Sequence, residues 1–143
     1  MTHHEHRKIR EVMTPDPSAV EPSTTVVETA RLMRDEDVGP MPIVENGQCA
    51  GIVTDRDIVV RVVAEGRNAN TTTVGEIASR ELITIDPEQT LDEAARLMAR
   101  HQIRRLPVCE DDGRLVGIVA QADLALEARD ETTGEVVEEI SRK

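Results

Sequence analysis

No phenylalanine, tyrosine or tryptophan occurs among the 143 residues. A core built from this chain must therefore be aliphatic. A bound base or sugar would have no aromatic ring to stack on, which removes the usual platform for single-stranded nucleic acid. Cations are also in short supply, with 17 Lys and Arg against 28 Asp and Glu and a formal net charge of −11. That balance opposes a phosphate backbone, whose binding needs cations to displace condensed counterions. Long apolar runs are missing too: none approaches the roughly 18 residues of a membrane-crossing helix. The first residues (Met1-Thr2-His3-His4-Glu5-His6) lack the apolar centre of a signal peptide, so a soluble cytoplasmic protein is expected. Cysteine is limited to Cys49 and Cys109, which form no CxxC framework. Each sits in an apolar strand pattern and is read as a reduced core thiol rather than half of a redox or structural pair.

What is present is a repeat. Residues 12–58 return as residues 77–124. Pro22 matches Pro87, Thr25 matches Thr90 and Glu28 matches Glu93. Ala30-Arg31-Leu32-Met33 matches Ala95-Arg96-Leu97-Met98, and Pro42 matches Pro107. After one inserted residue, Gly51-Ile52-Val53 matches Gly117-Ile118-Val119 and Asp57 matches Asp123. So long a period fits two copies of one compact unit better than a solenoid, whose repeats run about 20–50 residues. Two copies with half-buried sheets should pair around a pseudo-two-fold axis and leave two related clefts.

Each copy reads strand, helix, strand, strand, helix. After a helical turn near Ile9–Met13, the first copy predicts a strand at Ser18–Val20 and a helix over Val26–Asp35, opened by the Thr25/Glu28 capping-box spacing. Strands Met41–Glu45 and Cys49–Val53 flank the hairpin turn Asn46-Gly47, and a helix comes next over Asp55–Ala64. Gly66–Thr72 is the linker. The second copy predicts a short helix at Val74–Ala78, strand Leu82–Ile85 and helix Leu91–Arg100. Strand Leu106–Cys109, turn Asp111–Gly113, strand Leu115–Val119 and helix Gln121–Ala128 complete it. Gly134–Ser141 reads as an amphipathic tail helix whose Val136, Val137 and Ile140 need a surface to cover.

The sharpest local signal is Gly51-Ile52-Val53-Thr54-Asp55-Arg56-Asp57. It places a hydroxyl and a carboxylate at a helix start, where free N–H groups and the helix dipole attract an anion. Asp57 suits vicinal sugar hydroxyls, but Thr-x-x-Asp is equally a capping box that satisfies only the helix. The second copy reads Val119-Ala120-Gln121-Ala122-Asp123, which keeps the carboxylate and loses the hydroxyl. Arg104 and Arg105 form a basic pair before a strand, where the first copy has Gly39 and Pro40, so the fold itself does not require them. They suit either phosphate or solvent. His3, His4 and His6 have no Cys partner for a metal site, and His101 suits a helix C-terminus. No catalytic constellation stands out.

With these residues in view the chain resembles a tandem pair of cystathionine β-synthase (CBS) domains, often called a Bateman module, over nearly all of residues 8–128. The resemblance rests on the apolar strand ending in Pro22 or Pro87, the Leu-Met helix, the Met-Pro-Ile or Leu-Pro-Val strand and the Gly-Ile-Val-Thr-x-x-Asp ending. It implies an α/β (α+β) fold of two pseudo-symmetric β-α-β-β-α repeats packed through their sheets. Repeat 1 would span 8–66, repeat 2 would span 73–128, and 129–143 would be a tail. It further implies a non-catalytic energy or stress sensor that binds an adenine nucleotide (AMP, ADP or ATP) and works as a homodimer on a regulated protein. The alternative is a ligand-independent assembly module. Carried over residue by residue, one cleft would join Thr54, Arg56 and Asp57 with Ile83, Thr84, Ile85, Arg104 and Arg105, with adenine between Ile52 and Ile83. The other would join Asp123 with Ser18, Ala19, Val20 and Gly39-Pro40. On this assignment the nucleotide belongs in the Asp57 cleft, and the Asp123 cleft is empty or holds a less charged ligand.

Overall fold

The computed structural model describes residues 7–79 and 82–127. His3, His4 and His6 and the expected amphipathic helix at 134–141 lie outside those residues. Helix α1 (Val26–Glu36) begins where the Thr25 hydroxyl accepts the Glu28 N–H at 3.3 Å, and it ends at Asp37 in the left-handed region. Its counterpart α4 (Leu91–His101) starts on Thr90 and ends on a left-handed Gln102. Hairpin β2–β3 (Pro40–Glu45, Gln48–Thr54) turns at Asn46 and Gly47, both with positive φ as that two-residue turn demands. Hairpin β4–β5 (Arg105–Cys109, Leu115–Ala120) is its equivalent. The first hairpin stands as a two-stranded sheet, and the second is extended by β1 (Thr14–Pro15) to the order β1-β5-β4.

Two expected strands shrink to single bridges. Val20 donates to Pro42 O (2.9 Å) and its carbonyl accepts from Val44 N (2.8 Å); Ile85 stands in the same relation to Pro107 and Cys109. The expected continuous helix Asp55–Ala64 is instead an α-helical turn, α2 (Asp55–Ile58), followed by a π-helical turn over Val59–Val63. Its run of β-branched residues crowds a regular helix, and only Val62 is buried. Residues 121–127 are helical (α5) and continue directly from β5.

Pleat alternation sorts each hairpin into two faces. Met41, Ile43 and Val53 pack with Val26 and Met33 in one core, while Leu106, Val108 and Val119 pack with Leu91 and Met98 in another. The opposite faces, carrying Pro42 and Ile52 or Pro107 and Ile118, make the seam between the repeats. A bridge between Gln48 and Arg114, equivalent positions of the two copies, crosses that seam.

Each core also takes in a segment that the sequence boundaries assign to the other repeat. The 3-10 turn Ile9–Glu11 buries Ile9 in the second core, held by Ile9 N–H to Gln89 O (2.8 Å) and Arg10 N–H to Pro87 O (3.0 Å). The short helix α3 (Val74–Ile77) buries Val74 and Ile77 in the first core and ties back to Thr24 O and Pro22 O. Residues near 8 and 73 therefore sit on the repeat opposite to the one they precede.

Candidate functional site

The two Asp residues singled out by the sequence both cap helices. Asp57 Oδ2 accepts the Thr54 N–H at 2.9 Å while the Thr54 hydroxyl accepts the Asp57 N–H at 3.2 Å, a complete capping box. Asp123 Oδ2 accepts the Ala120 N–H at 2.8 Å. Retention of Asp123 without a hydroxyl partner thus has a structural cause, since the carboxylate half of the box works without the threonine half. Each of these bonds engages one carboxylate oxygen and leaves the other outside it.

Hairpin register decides which cations stand beside which carboxylate. Arg105 pairs with Ala120, and Gln121 N–H donates to Arg104 O at 2.7 Å. Arg104 and Arg105 are exposed and border a depression with Ala120, Gln121 and Ala122, at the start of the helix that carries Asp123. In the first repeat Pro40 pairs with Thr54, and Asp55 N–H donates to Gly39 O at 3.0 Å. Within its own repeat the arginine pair thus lies near the helix start that carries Asp123, and Gly39-Pro40 near that of Asp57. The reason is topological, because the start of one hairpin strand opposes the end of its partner.

A cavity of about 230 Å³ opens at the seam, lined by Thr14, Pro17, Ser18, Pro40 and Met41 of the first repeat's chain and by Ile118 of the second. Ile118, Ala120 and Arg105 share one face of their hairpin. Ser18 and Pro40 line this cavity together, and Ala19 and Val20 come next in the chain after Ser18, Val20 buried on the adjacent bridge. Ile118 and Pro17 were not singled out by the sequence pattern, although the equivalence of Ile118 with Ile52 was available to find the first of them. On the other side Ile83 and Thr84 precede the Ile85 bridge as Ser18 and Ala19 precede Val20. Arg56 is exposed, its N–H turned to Asp55 Oδ1 at 2.9 Å. Among the described residues no three His, Cys, Asp or Glu side chains gather as a metal site, and no helix is long and apolar enough to cross a membrane.

Two duplicated sheet-and-helix units, joined through their sheets and with a carboxylate at each final helix start, define an internally duplicated α/β pair module. The chain belongs to the CBS domain family, whose model matches residues 9–64 and again 74–130. It is similar to the CBS domain-containing protein YhcV of Bacillus subtilis, 43% identical over 136 residues that cover 94% of this chain and 96% of that one. Hypoxic response protein 1 of Mycobacterium tuberculosis is 38% identical over 117 residues, 81% of each chain. The crystal structure of Hypoxic Response Protein I with two coordinated zinc ions superposes with a TM-score of 0.77 at 37% identity, covering 83% of this chain and 97% of that one. The CBS domain pair of protein MJ0100, in complex with 5′-methylthioadenosine and S-adenosyl-L-methionine, superposes with a TM-score of 0.79 at 26% identity, covering 87% and 98%.

Proposed function

We propose that this chain is a non-catalytic energy or stress sensor that takes an adenosine-containing nucleotide (AMP, ADP or ATP) into the seam between its repeats and acts as a homodimer on a regulated protein. The observation that carries the proposal is the seam cavity of about 230 Å³ with Ser18 and Pro40 on one wall and Ile118 on the other, whose pseudo-two-fold counterpart would carry Arg105 in place of Pro40. That volume is smaller than the roughly 300–1,000 Å³ of drug-sized pockets. It suits a base and sugar with the phosphates at the mouth. Aliphatic walls and backbone groups would hold the base, as a chain without aromatics requires. Asp57 and Asp123 each have a second carboxylate oxygen for ribose hydroxyls, and Arg104 and Arg105 offer charge-assisted bonds to phosphate. The related MJ0100 pair, crystallised with two adenosine-bearing ligands, supports the class of ligand.

The cleft of Ser18, Ile118 and Asp123 has Pro40 at the position that Arg105 would hold in the cleft of Thr54, Arg56 and Asp57 with Ile83, Thr84 and Ile85. A lost charged hydrogen bond is worth about 1.5–3 kcal/mol, tenfold or more in affinity. The stronger nucleotide cleft is therefore the one with Asp57. Exposed Val59, Val60 and Val63 on the π-helical turn give the homodimer an apolar helix face. The same face favours the second reading, an assembly module without a ligand.

Calorimetric titration with AMP, ADP and ATP separates the two. Arg105→Ala and Asp57→Asn should weaken binding about tenfold or more, while Asp123→Asn has the smaller effect. The asparagines retain a capping oxygen, so folding is preserved. No heat with any of the three nucleotides at millimolar concentration would leave only the assembly module.

A further inference from the structure

The two cysteines play no part in the nucleotide cleft, yet the fold brings them together. Cys109 lies on the seam face of β4 with Arg105 and Pro107 by simple alternation. Cys49 reaches the same seam by a different route. The register of its hairpin shifts between Ile43 and Val44, so that Ile43 pairs with Gly51 but Val44 pairs with Cys49. The skipped residue, Ala50, is a bulge, and a bulge reverses the face presented by the residues beyond it. Cys49 therefore leaves the core face that Gly51 and Val53 occupy. Its N–H donates to Gly113 O of the other repeat at 2.9 Å, next to the Gln48–Arg114 bridge, and Gln48 Nε2 donates to Asp112 O at 2.7 Å. Both thiols are free, Cys109 buried and Cys49 half-buried, and their side chains interact directly.

Their ionisation is divided. A hydrogen bond from Cys109 lowers the pKa of Cys49 below the ordinary thiol range. The Cys109 thiol is pushed up by the same bond, by burial and by the charge on Cys49. The accessible sulfur is thus the nucleophile, and the buried one is kept protonated beside it.

We infer that Cys49 and Cys109 form a two-thiol redox site that hydrogen peroxide converts to a disulfide joining the two repeats. The Cys49 thiolate attacks one peroxide oxygen, forming an S–O bond as the O–O bond breaks and hydroxide leaves. The resulting sulfenic acid carries no charge, which relieves the repulsion that held Cys109 protonated. The Cys109 sulfur then attacks the Cys49 sulfur, the S–S bond forms, the S–O bond breaks, and the departing hydroxide takes up the Cys109 proton as water. Two thiols lose two electrons, and peroxide becomes two waters. The bond would fasten the hairpin-turn end of the seam, whose opposite end carries the clefts, and so restrain separation of the repeats.

The test uses the full chain and needs no nucleotide. Purified reduced protein is treated with dilute hydrogen peroxide, alkylated under denaturing conditions and mapped by peptide mass spectrometry. A linked peptide joining Cys49 to Cys109 within one chain is expected, reversed by dithiothreitol and absent from Cys49→Ser and Cys109→Ala. The oxidised wild type should melt on the order of 5 °C or more higher than the reduced form. Two free thiols after a dose that oxidises glutathione completely, or cross-links only between chains, would overturn the disulfide. An unchanged or lower melting temperature in the linked protein would overturn the restraint.

Discussion

Gly51 and Gly117 hold equivalent positions in the two Gly-Ile-Val strands, but their neighbours differ. A methyl group added at Gly117 would meet Met13 Cγ at 2.9 Å and the Thr14 carbonyl oxygen at 3.0 Å, because β1 lies against that strand. The Thr14 carbonyl belongs to a paired backbone and cannot swing aside. At Gly51 the nearest atoms are Ser79 O at 3.7 Å and Ile43 Cδ1 at 3.8 Å, ordinary contact distances. Gly117→Ala should therefore destabilise by about 1–3 kcal/mol through overpacking. Gly51→Ala should be neutral or stabilising by up to about 1 kcal/mol, since it removes freedom only from the unfolded chain. Urea denaturation of the two variants side by side checks this. Equal losses would mean that β1 does not rest on Gly117.

At the scale of elements, the caps couple folding to pH. Glu76 accepts the Thr73 N–H at 2.7 Å, and this bond holds its carboxyl below the ordinary carboxylate range. Gln89 does the same for Glu93 at the start of α4, and Lys8 for Glu88 beneath the N-terminal turn. A carboxylate depressed in the folded state adds stability above its unfolded pKa and loses it as pH falls through the folded value. The urea midpoint should accordingly hold from neutral pH down to the ordinary carboxylate range and fall below it. The fall should be shallower in the Glu76→Gln/Glu93→Gln double variant, and an unchanged slope would remove these caps as its source. Such caps were legible from spacing alone because Thr25/Glu28 and Thr90/Glu93 interact within one helical turn. Asn46-Gly47 was legible for the same reason. The pairing of Arg105 with Ala120 was legible too, because the hairpin register is set by the turn. The bulge at Ala50 left no local mark, so Cys49 read as a core thiol.

At the scale of the whole molecule, the exchange of segments has a thermodynamic consequence. Ile9 precedes repeat 1 and fills the core of repeat 2; Ile77 precedes repeat 2 and fills the core of repeat 1. No periodicity announces this, since an apolar residue in a short helical turn carries no sign of which core will receive it. Neither repeat can complete its core without chain that enters from the other side. Ion pairs reinforce the arrangement: Arg7 pairs with Glu127 of α5, and Lys8 and Arg10 pair with Glu88. The two cores should therefore melt as one unit. Ile9→Ala and Ile77→Ala each remove a fully buried side chain from a different core, and each should cost about 2–5 kcal/mol. If the cores are coupled, both substitutions shift the same single transition seen by circular dichroism and by calorimetry, with calorimetric and van't Hoff enthalpies equal. If Ile9→Ala instead splits the curve and leaves the repeat 1 core melting at the wild-type temperature, the repeats are independent bodies. A ligand or a disulfide at the seam would then act on a joint between two domains rather than on one cooperative fold.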